Sequence, residues 1–460
     1  MTYFDASTET LPREQLAALQ LGKFQAMSRE LWGRNGFYTD KWKAAGAEPG
    51  DIRSLADLEK LPLTTKHELM QDQAAHGPFG RNLTYPLEQY VRFHQTSGTT
   101  GVPLKVPDTE ESWQWWGRCW GHVLAGAGVT AADRIFMAFS FGPFVGFWAA
   151  TEGARQLGAL MIPGGGRDSP QRLELMRDVG ASVLCCTPTY ALRLAEVARE
   201  TGFDLSSIPM KATVHAGEPG ANVPSTKARI EEVWSAKCFD HAGATEVGAH
   251  SFECAVQPGG THLIESEYIA EILDPASGRP VAEGERGELV ITNLGRWGFP
   301  IIRYKTGDIV RTTTARCDCG RTSLRFEGGI IGRADDMVTV RGVNVFPAGV
   351  ENILRKFAEI DEFRIEQQRR VAGDDGSDLR LILQHRHGVE GVVKGRLVEV
   401  DHLLRHLLGI HRSPSFRGLR VRRRCVRRQH RLPGGLWPHH YAFAQRQDRG
   451  YQPGRSRADL

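Results

Sequence analysis

The sequence predicts an α/β fold: a large N-terminal domain of layered α/β subdomains ending in a β-rich section, then a small, incomplete α+β C-terminal domain. Three observations carry this reading. Between residues 133 and 200, apolar strand-like runs alternate with segments of helical periodicity. Those runs end in loops rich in Gly, Ser, Thr and His, where α/β sheets place their chemistry. From about Thr261 the pattern turns to strands: YIAEILD, GELVITN, FPIIRYKTGDIVRT. A chain of 460 residues is long enough for two or more domains.

Residues 10–34 (TLPREQLAALQLGKFQAMSRELWGR) space their apolar side chains as a helix does. In LTTKHELM, Thr64 lies three residues before His67 and predicts a helix start. VRFHQTSGTTGVPLKV then reads as strand, Gly/Ser/Thr loop and strand. From Asp133 to Met161 the order is strand, loop, helix (AATEGARQLGA), strand. SVLCCTPTYALRLAEVARE continues the alternation, and ATVHAGEPG and KCFDHAGATEVG end two more apolar runs in loops. GGIIGRADDMVTVRGVNVFPAGVENIL reads as a hinge into the small domain, and no internal repeat is found. The boundaries follow: a large domain over 1–333, the start of a small one over 334–411, and a tail over 412–460.

Composition excludes several classes. The longest apolar stretch, Ile135 to Ala150, is broken by glycines and Pro143, so no membrane span is expected. The start lacks a signal-peptide pattern, and eight cysteines in such a chain suit a reducing cytoplasm, as thiols or metal ligands. Formal charge is +4, but residues 412–460 hold 13 arginines against two aspartates, leaving a mildly acidic body.

TSGTTGVPLK (Thr96–Lys105) can wrap backbone N–H groups around phosphate oxygens, with Lys105 adding a cation. It lacks the Walker spacing, and alone it is as readily a flexible turn. Four motifs follow it: HAGEPG (His215–Gly220), HAGATEVG (His241–Gly248), YKTGDIV (Tyr304–Val310) and GRADDMVTVRG (Gly332–Gly342). In this order they resemble the phosphate loop, adenine loop, Y-G-x-T-E motif, ribose motif and hinge of the adenylate-forming superfamily. YFDASTETLPREQLAALQLGKF, LPLTTKHELM and RGVNVFPAGVE resemble its phenylacetate–CoA ligase branch, from about Tyr3 to Ile410. One departure is Leu104, which separates Pro103 from Lys105.

The resemblance implies a ligase that joins an acid to ATP, releases pyrophosphate and passes the acyl group to coenzyme A. Ser97, Gly98, Thr99, Thr100 and Gly101 would hold the β- and γ-phosphates. Thr245 would take the α-phosphate and Glu246 a Mg²⁺. Asp308 would hold the ribose with Arg333 nearby, and Gly217, Glu218, Pro219, Asp240, His241, Ala242 and Gly243 the adenine. Asp335 matches the hinge between half-reactions. Phe141, Phe144, Phe147 and Trp148, with Ala216 in the His215–Gly217 turn, predict a pocket for an aryl or other apolar acid, although such aromatics also fill ordinary cores.

Cys317 and Cys319 in RCDCGR, with Cys254 and His262 in FECAVQPGGTHL, make a Cys₃His set suited to closed structural zinc. The C-x-C spacing is tight, and free thiols are the plain alternative, with Cys238 and His250 as substitute ligands. Similar residues in relatives of this branch favour the metal.

Enzymes of the superfamily carry a lysine late in the small domain, yet this chain has none after Lys394. Helical periodicity persists through DHLLRHLLGI, and then Lys, Glu, Ile, Met, Asn and Thr vanish. A right length with a wrong composition predicts a shifted reading frame from about His411. A nucleic-acid-binding basic arm and a disordered tail are the alternatives. A nucleic-acid partner is not favoured, a homodimer is compatible, and two other functions stay open: a silent adenylate-binding protein, or transfer to a carrier protein.

Overall fold

The computed structural model describes residues 2–96, 102–140, 142–143, 145–146 and 148–334, and the backbone of five strands beyond Asp335. The chain divides into two compact units, Met1–Asp335 and Asp336–Leu460. In the first unit the helices are α1 (Ala6–Glu9), α2 (Arg13–Leu31), α3 (Gly36–Ala44), α4 (Lys66–Ala75), α5 (Glu110–Gly126), α6 (Trp148–Leu157), α7 (Ser169–Asp178), α8 (Pro188–Thr201) and α9 (Pro224–Trp234). Its strands are β1 (Tyr90–Gln95), β2 (Lys105–Thr109), β3 (Arg134–Met137), β4 (Leu160–Pro163), β5 (Val183–Cys186), β6 (Ala212–His215) and β7 (Lys237–Ala244). They continue with β8 (Gly248–Glu253), β9 (Gly260–Leu263), β10 (Tyr268–Leu273), β11 (Arg286–Asn293), β12 (Tyr304–Thr313), β13 (Arg325–Glu327) and β14 (Gly332–Arg333).

The expected alternation is present and mixed α/β. β4, β3, β5, β6 and β7 lie in that order, all parallel, with α6 to α9 as the crossovers. Beyond β7 the path runs antiparallel through β8, β9, β13, β12, β11 and β10, which is the predicted β-rich section. The change of direction falls inside one strand. Lys237–Asp240 pair parallel with β6, and His241–Ala244 pair antiparallel with β8. The sequence ends the apolar run of KCFDHAGATEVG in a loop; the structure carries the strand on through Ala244, because both neighbours supply ladder partners.

Local signals explain the helices. α4 starts one residue later than Thr64 predicts: Thr65 accepts from the Glu68 amide and Glu68 accepts back from the Thr65 amide. Thr64 is held instead by Arg303 and Lys305, donating its amide to one carbonyl at 2.8 Å and accepting at 2.9 Å. Thr187 caps α8, Pro188 follows it, and Gly202 closes the helix at φ +70°. The core centres on α5, where Trp113, Trp115, Trp116 and Trp120 are all buried. Each such ring removes about 200 Å² from water, roughly 5 kcal/mol by area. Gly153 of α6 lets the helices touch, since a Cβ there would meet Trp120 Cβ at 2.5 Å.

Beyond Asp335 the described backbone comprises β15 (Val338–Val340), β16 (Val343–Val345), β17 (Ile360–Arg369), β18 (Ser377–His385) and β19 (Leu419–Arg423). β15 pairs antiparallel with β16 and β17 with β18; β19 runs parallel to β18. The helix expected over residues 401–410 lies outside the described residues, as does the rest of the tail. Among the described residues, no helix is long and apolar enough to cross a membrane.

Candidate functional site

HAGEPG and HAGATEVG lie on the neighbouring parallel strands β6 and β7, where His215 pairs with Asp240. Two faces of β7 divide the labour, as strand alternation requires. His241 points into the core, its ring centroid 4.5 Å from that of Trp120 and its Nδ1 2.9 Å from Ser251 O. Burial lowers it to about 4, so it is neutral at pH 7. Asp240 borders a pocket of about 270 Å³, together with Asn222, Lys227, Glu253 and Gly329. Burial first, and then the Glu253 charge, push its carboxyl up to about 7. Glu253 is pinned by Lys227 at 2.7 Å and accepts the Asp240 amide at 2.9 Å. Ala242 and Gly243 follow, the first partly exposed and the second exposed.

Next come Thr245 and Glu246. Glu246 is buried, at 5% exposed. Oε1 accepts from the Tyr304 hydroxyl at 2.9 Å and lies 3.2 Å from Lys66 Nζ. Tyr304 opens the ribose motif, and Lys66 is the first residue of α4. Thr64, bonded to the backbone on both sides of Tyr304, places that lysine.

In the ribose motif, Asp308 stands opposite Arg333 across β12 and β14, with Nη1 at 3.0 Å from Oδ1. Gly307 takes φ +77° between them, and a Cβ there would meet the Arg333 guanidinium at 2.7 Å. Gly217 and Pro219 are exposed at the end of β6, and Ala216 packs against the core edge. Glu218 accepts the Thr189 amide at 2.8 Å, which ties the adenine loop to the first turn of α8. His215, buried and lowered to about 4, bonds Thr213 and the Cys186 carbonyl.

Ser97, Gly98, Thr99, Thr100 and Gly101 lie outside the described residues, as do Phe141, Phe144, Phe147 and Asp335. The base of the phosphate loop is described. Thr96 donates to Leu104 O and its hydroxyl accepts the Leu104 amide, both at 3.0 Å. Leu104 is fully buried, so the residue that departs from the superfamily spacing acts as an apolar anchor. Gln73 brackets Lys105 through its amide at 3.0 Å and its carbonyl at 2.6 Å. Trp148 is 38% exposed and donates to Gly142 O at 3.0 Å.

A second cluster includes Cys254 and His262, which directly follow the pocket residues Glu253 and Thr261. The ligand atoms of Cys254, His262, Cys317 and Cys319 all fall within 4.8 Å of one another, in buried side chains. Cys254 and Cys317 sulfurs are 3.7 Å apart, and Cys319 Sγ is 3.5 Å from His262 Nε2. Ser323 Oγ stands 3.2 Å from His262 Nδ1. Hydrogen bonding to Cys254 lowers Cys319 to about 7. Cys238 and His250 are not in the cluster. Burial pushes Cys238 up to about 12 and His250 down to about 3, leaving both neutral inside the core. Cys119, Cys185 and Cys186 are buried thiols, and Cys425 lies outside the described residues.

Sequence reasoning missed Lys66, Tyr304 and the residues behind Thr245. The first two sat inside quoted motifs, but their roles depend on contacts 180 and 58 positions away.

A parallel sheet thus turns antiparallel at Asp240–His241, with a Thr-Glu turn after it and an Asp-Arg pair on the β-rich side. The sequence pattern of the family described as AMP-binding enzyme matches residues 70–295. Phenylacetate-coenzyme A ligase of Thermus thermophilus is 33% identical over 88% of this chain and 90% of its own length. The Escherichia coli phenylacetate-coenzyme A ligase is 33% identical over 86% and 89%. Among solved structures, 2-hydroxyisobutyryl-CoA ligase in the postadenylation state superposes with a TM-score of 0.84 at 30% identity, covering 92% of this chain and 88% of that one. The chain belongs to the phenylacetate-coenzyme A ligase family, AMP-forming acid–thiol ligases that make an acyl-adenylate from ATP and transfer the acyl group to coenzyme A.

Proposed function

We propose that this ligase activates an aromatic or other apolar carboxylic acid, with the nucleotide held by the motifs converging on β7. The observation that carries this reading is the Glu246 carboxylate, buried and clamped through one oxygen by Tyr304 and Lys66. Its other oxygen, like the Thr245 hydroxyl, has no hydrogen-bond partner among the described residues. A hard carboxylate oxygen beside a hydroxyl suits Mg²⁺. Bound there, the ion would neutralise charge on the phosphate oxygens.

The chain's own residues supply the rest. Thr245 faces the α-phosphate. Ser97, Gly98, Thr99, Thr100 and Gly101, over a base closed by Thr96 and Leu104, cradle the β- and γ-phosphates with Lys105 beside them. Asp308 takes the ribose hydroxyls, and its bond to Arg333 fixes the carboxylate plane. Asp240 accepts the adenine amino group, with Gly217 and Pro219 against the ring and Glu218 holding their loop. Residues 334–411 begin the small mobile domain, with Asp335 as its hinge.

The second centre fits structural zinc. With Zn–S near 2.3 Å and Zn–N near 2.05 Å, tetrahedral geometry requires S–S edges of about 3.8 Å and S–N edges of about 3.6 Å. The 3.7 and 3.5 Å separations support that assignment, with all four positions filled by protein. A reducing cytoplasm is the proposed setting, since the described cysteines are free thiols.

The given sequence has no lysine after Lys394, where the resemblance implies one. Without it the adenylation step is impaired, while ATP binding persists through the first unit. ATP–pyrophosphate exchange with phenylacetate tests the acid class. A second reading, a small branched hydroxy acid, rests on the likeness to 2-hydroxyisobutyryl-CoA ligase. Exchange stimulated by 2-hydroxyisobutyrate and not by phenylacetate would select it.

A further inference from the structure

Behind the Thr245–Glu246 turn sits Arg296, fully buried on the connection between β11 and β12. Its Nε and Nη2 donate to the two oxygens of Asp108 at 2.6 and 2.7 Å, and Asp108 is also fully buried. Its Nη1 donates to the carbonyl oxygens of both Thr245 and Glu246, each at 2.9 Å. The planar cation lies near the rings of Trp116 and Phe299, with centroids 5.2 and 5.7 Å away. No quoted motif contains it.

The geometry is specific. Two consecutive carbonyls aimed at one nitrogen fix both peptide planes of the turn, and hence the side from which Thr245 and Glu246 project their side chains. Asp108 belongs to β2, the strand that leaves the phosphate loop. One guanidinium therefore ties together two segments that approach the same nucleotide. Asp108 neutralises it, so it does not act as a phosphate-binding cation. A fork of this shape needs the rigid planar donors of arginine.

We propose that Arg296 is a positioning residue for the nucleotide site: it holds the Glu246 carboxylate in register with the phosphate-loop strand, so that metal-bound ATP is recognised as a unit. This rests on the reading of Glu246 as the Mg²⁺ ligand. Residues that orient a metal ligand from behind typically change metal affinity roughly 10- to 100-fold when removed.

The test is calorimetric binding of ATP to the full chain, with Mg²⁺ and with excess EDTA. Because a lone R296M would strand the Asp108 charge, the main variant is R296M/D108N. Its expected result is a loss of roughly 10-fold or more for Mg·ATP and less than about twofold for metal-free ATP. R296K, which keeps the charge but loses the fork, should fold and shift in the same direction by a smaller factor. In an E246Q background the Arg296 changes should add no further loss, since both act through one carboxylate. Equal weakening of Mg·ATP and metal-free ATP would overturn the proposal. So would losses that multiply with those of E246Q, or an R296K that binds Mg·ATP like wild type while R296M/D108N fails to fold. If E246Q alone leaves the Mg²⁺ dependence unchanged, the failure lies with the Glu246 assignment instead.

Discussion

Tyr304 donates its hydroxyl to Glu246 Oε1 at 2.9 Å, joining the ribose motif to the Thr-Glu turn across 58 positions of sequence. Both groups are buried, and burial together with the adjacent carboxylate keeps the phenol protonated at all working pH values. The bond is directional, a hydroxyl donating to a carboxylate oxygen.

Tyr304→Phe should leave the fold intact while freeing the carboxylate. A hydrogen bond to a charged group is worth about 1.5–3 kcal/mol, part of which Lys66 and water would recover. The expected outcome is roughly tenfold weaker Mg·ATP binding, about 1.4 kcal/mol, with adenosine binding unchanged. Calorimetry with the two ligands checks it.

The Asp240 carboxyl provides a pH test. Its folded value of about 7 lies above the 3.8 of the free side chain. The protonated form is therefore favoured in the folded state; this contribution to stability is present below pH 4 and lost as pH rises through 7. The adenine amino group prefers the ionised form. Adenosine should bind about tenfold more weakly at pH 6 than at pH 8, following the ionised fraction. Asp240→Asn should flatten that profile, as fluorescence titration of both proteins across the range would reveal.

Much of the proposed site is legible in the sequence, because the residues proposed to meet phosphate, base and ribose sit in contiguous motifs. The alternating first half and the strand-rich second half are equally plain from periodicity. What the sequence conceals is long-range. Arg296 looks like an ordinary surface arginine until β2 and the Thr245 turn meet behind it, 188 and 50 positions away. The Asp240–His241 strand reads as a loop because its small residues are weak strand formers, and only pairing with β6 and β8 overrides that preference. Cys238 resembles a ligand in composition, yet β7 directs it into the core.

Metal content tests the Cys₃His centre. Elemental analysis should find one zinc per chain, and Cys317→Ser/Cys319→Ser should find none. Metal loss should increase as pH falls, because the thiolates must take up protons to let it go. Chelation should lower the melting temperature while leaving Mg·ATP affinity within about twofold, since a closed shell stabilises without catalysing.

The half-reactions should separate. Losing a single preorganised charged donor costs about 3–4 kcal/mol, roughly 10²- to 10³-fold in rate. Adenylation by this chain should be slower than that of a lysine-bearing relative by such a factor. Transfer to coenzyme A from a supplied acyl-adenylate should be affected far less. Rapid-quench assays starting from acid plus ATP, and from the adenylate, distinguish the steps. Translating the gene's other two frames downstream of codon 411 should uncover a lysine-containing loop.

The most direct test of the nucleotide site is calorimetric titration of the full chain, Glu246→Gln and Asp308→Ala with Mg·ATP. One site per chain is predicted for the natural sequence, with at least about tenfold weaker binding in each variant, more than 1.4 kcal/mol. One-to-one binding that neither substitution alters would place the nucleotide elsewhere and contradict the account.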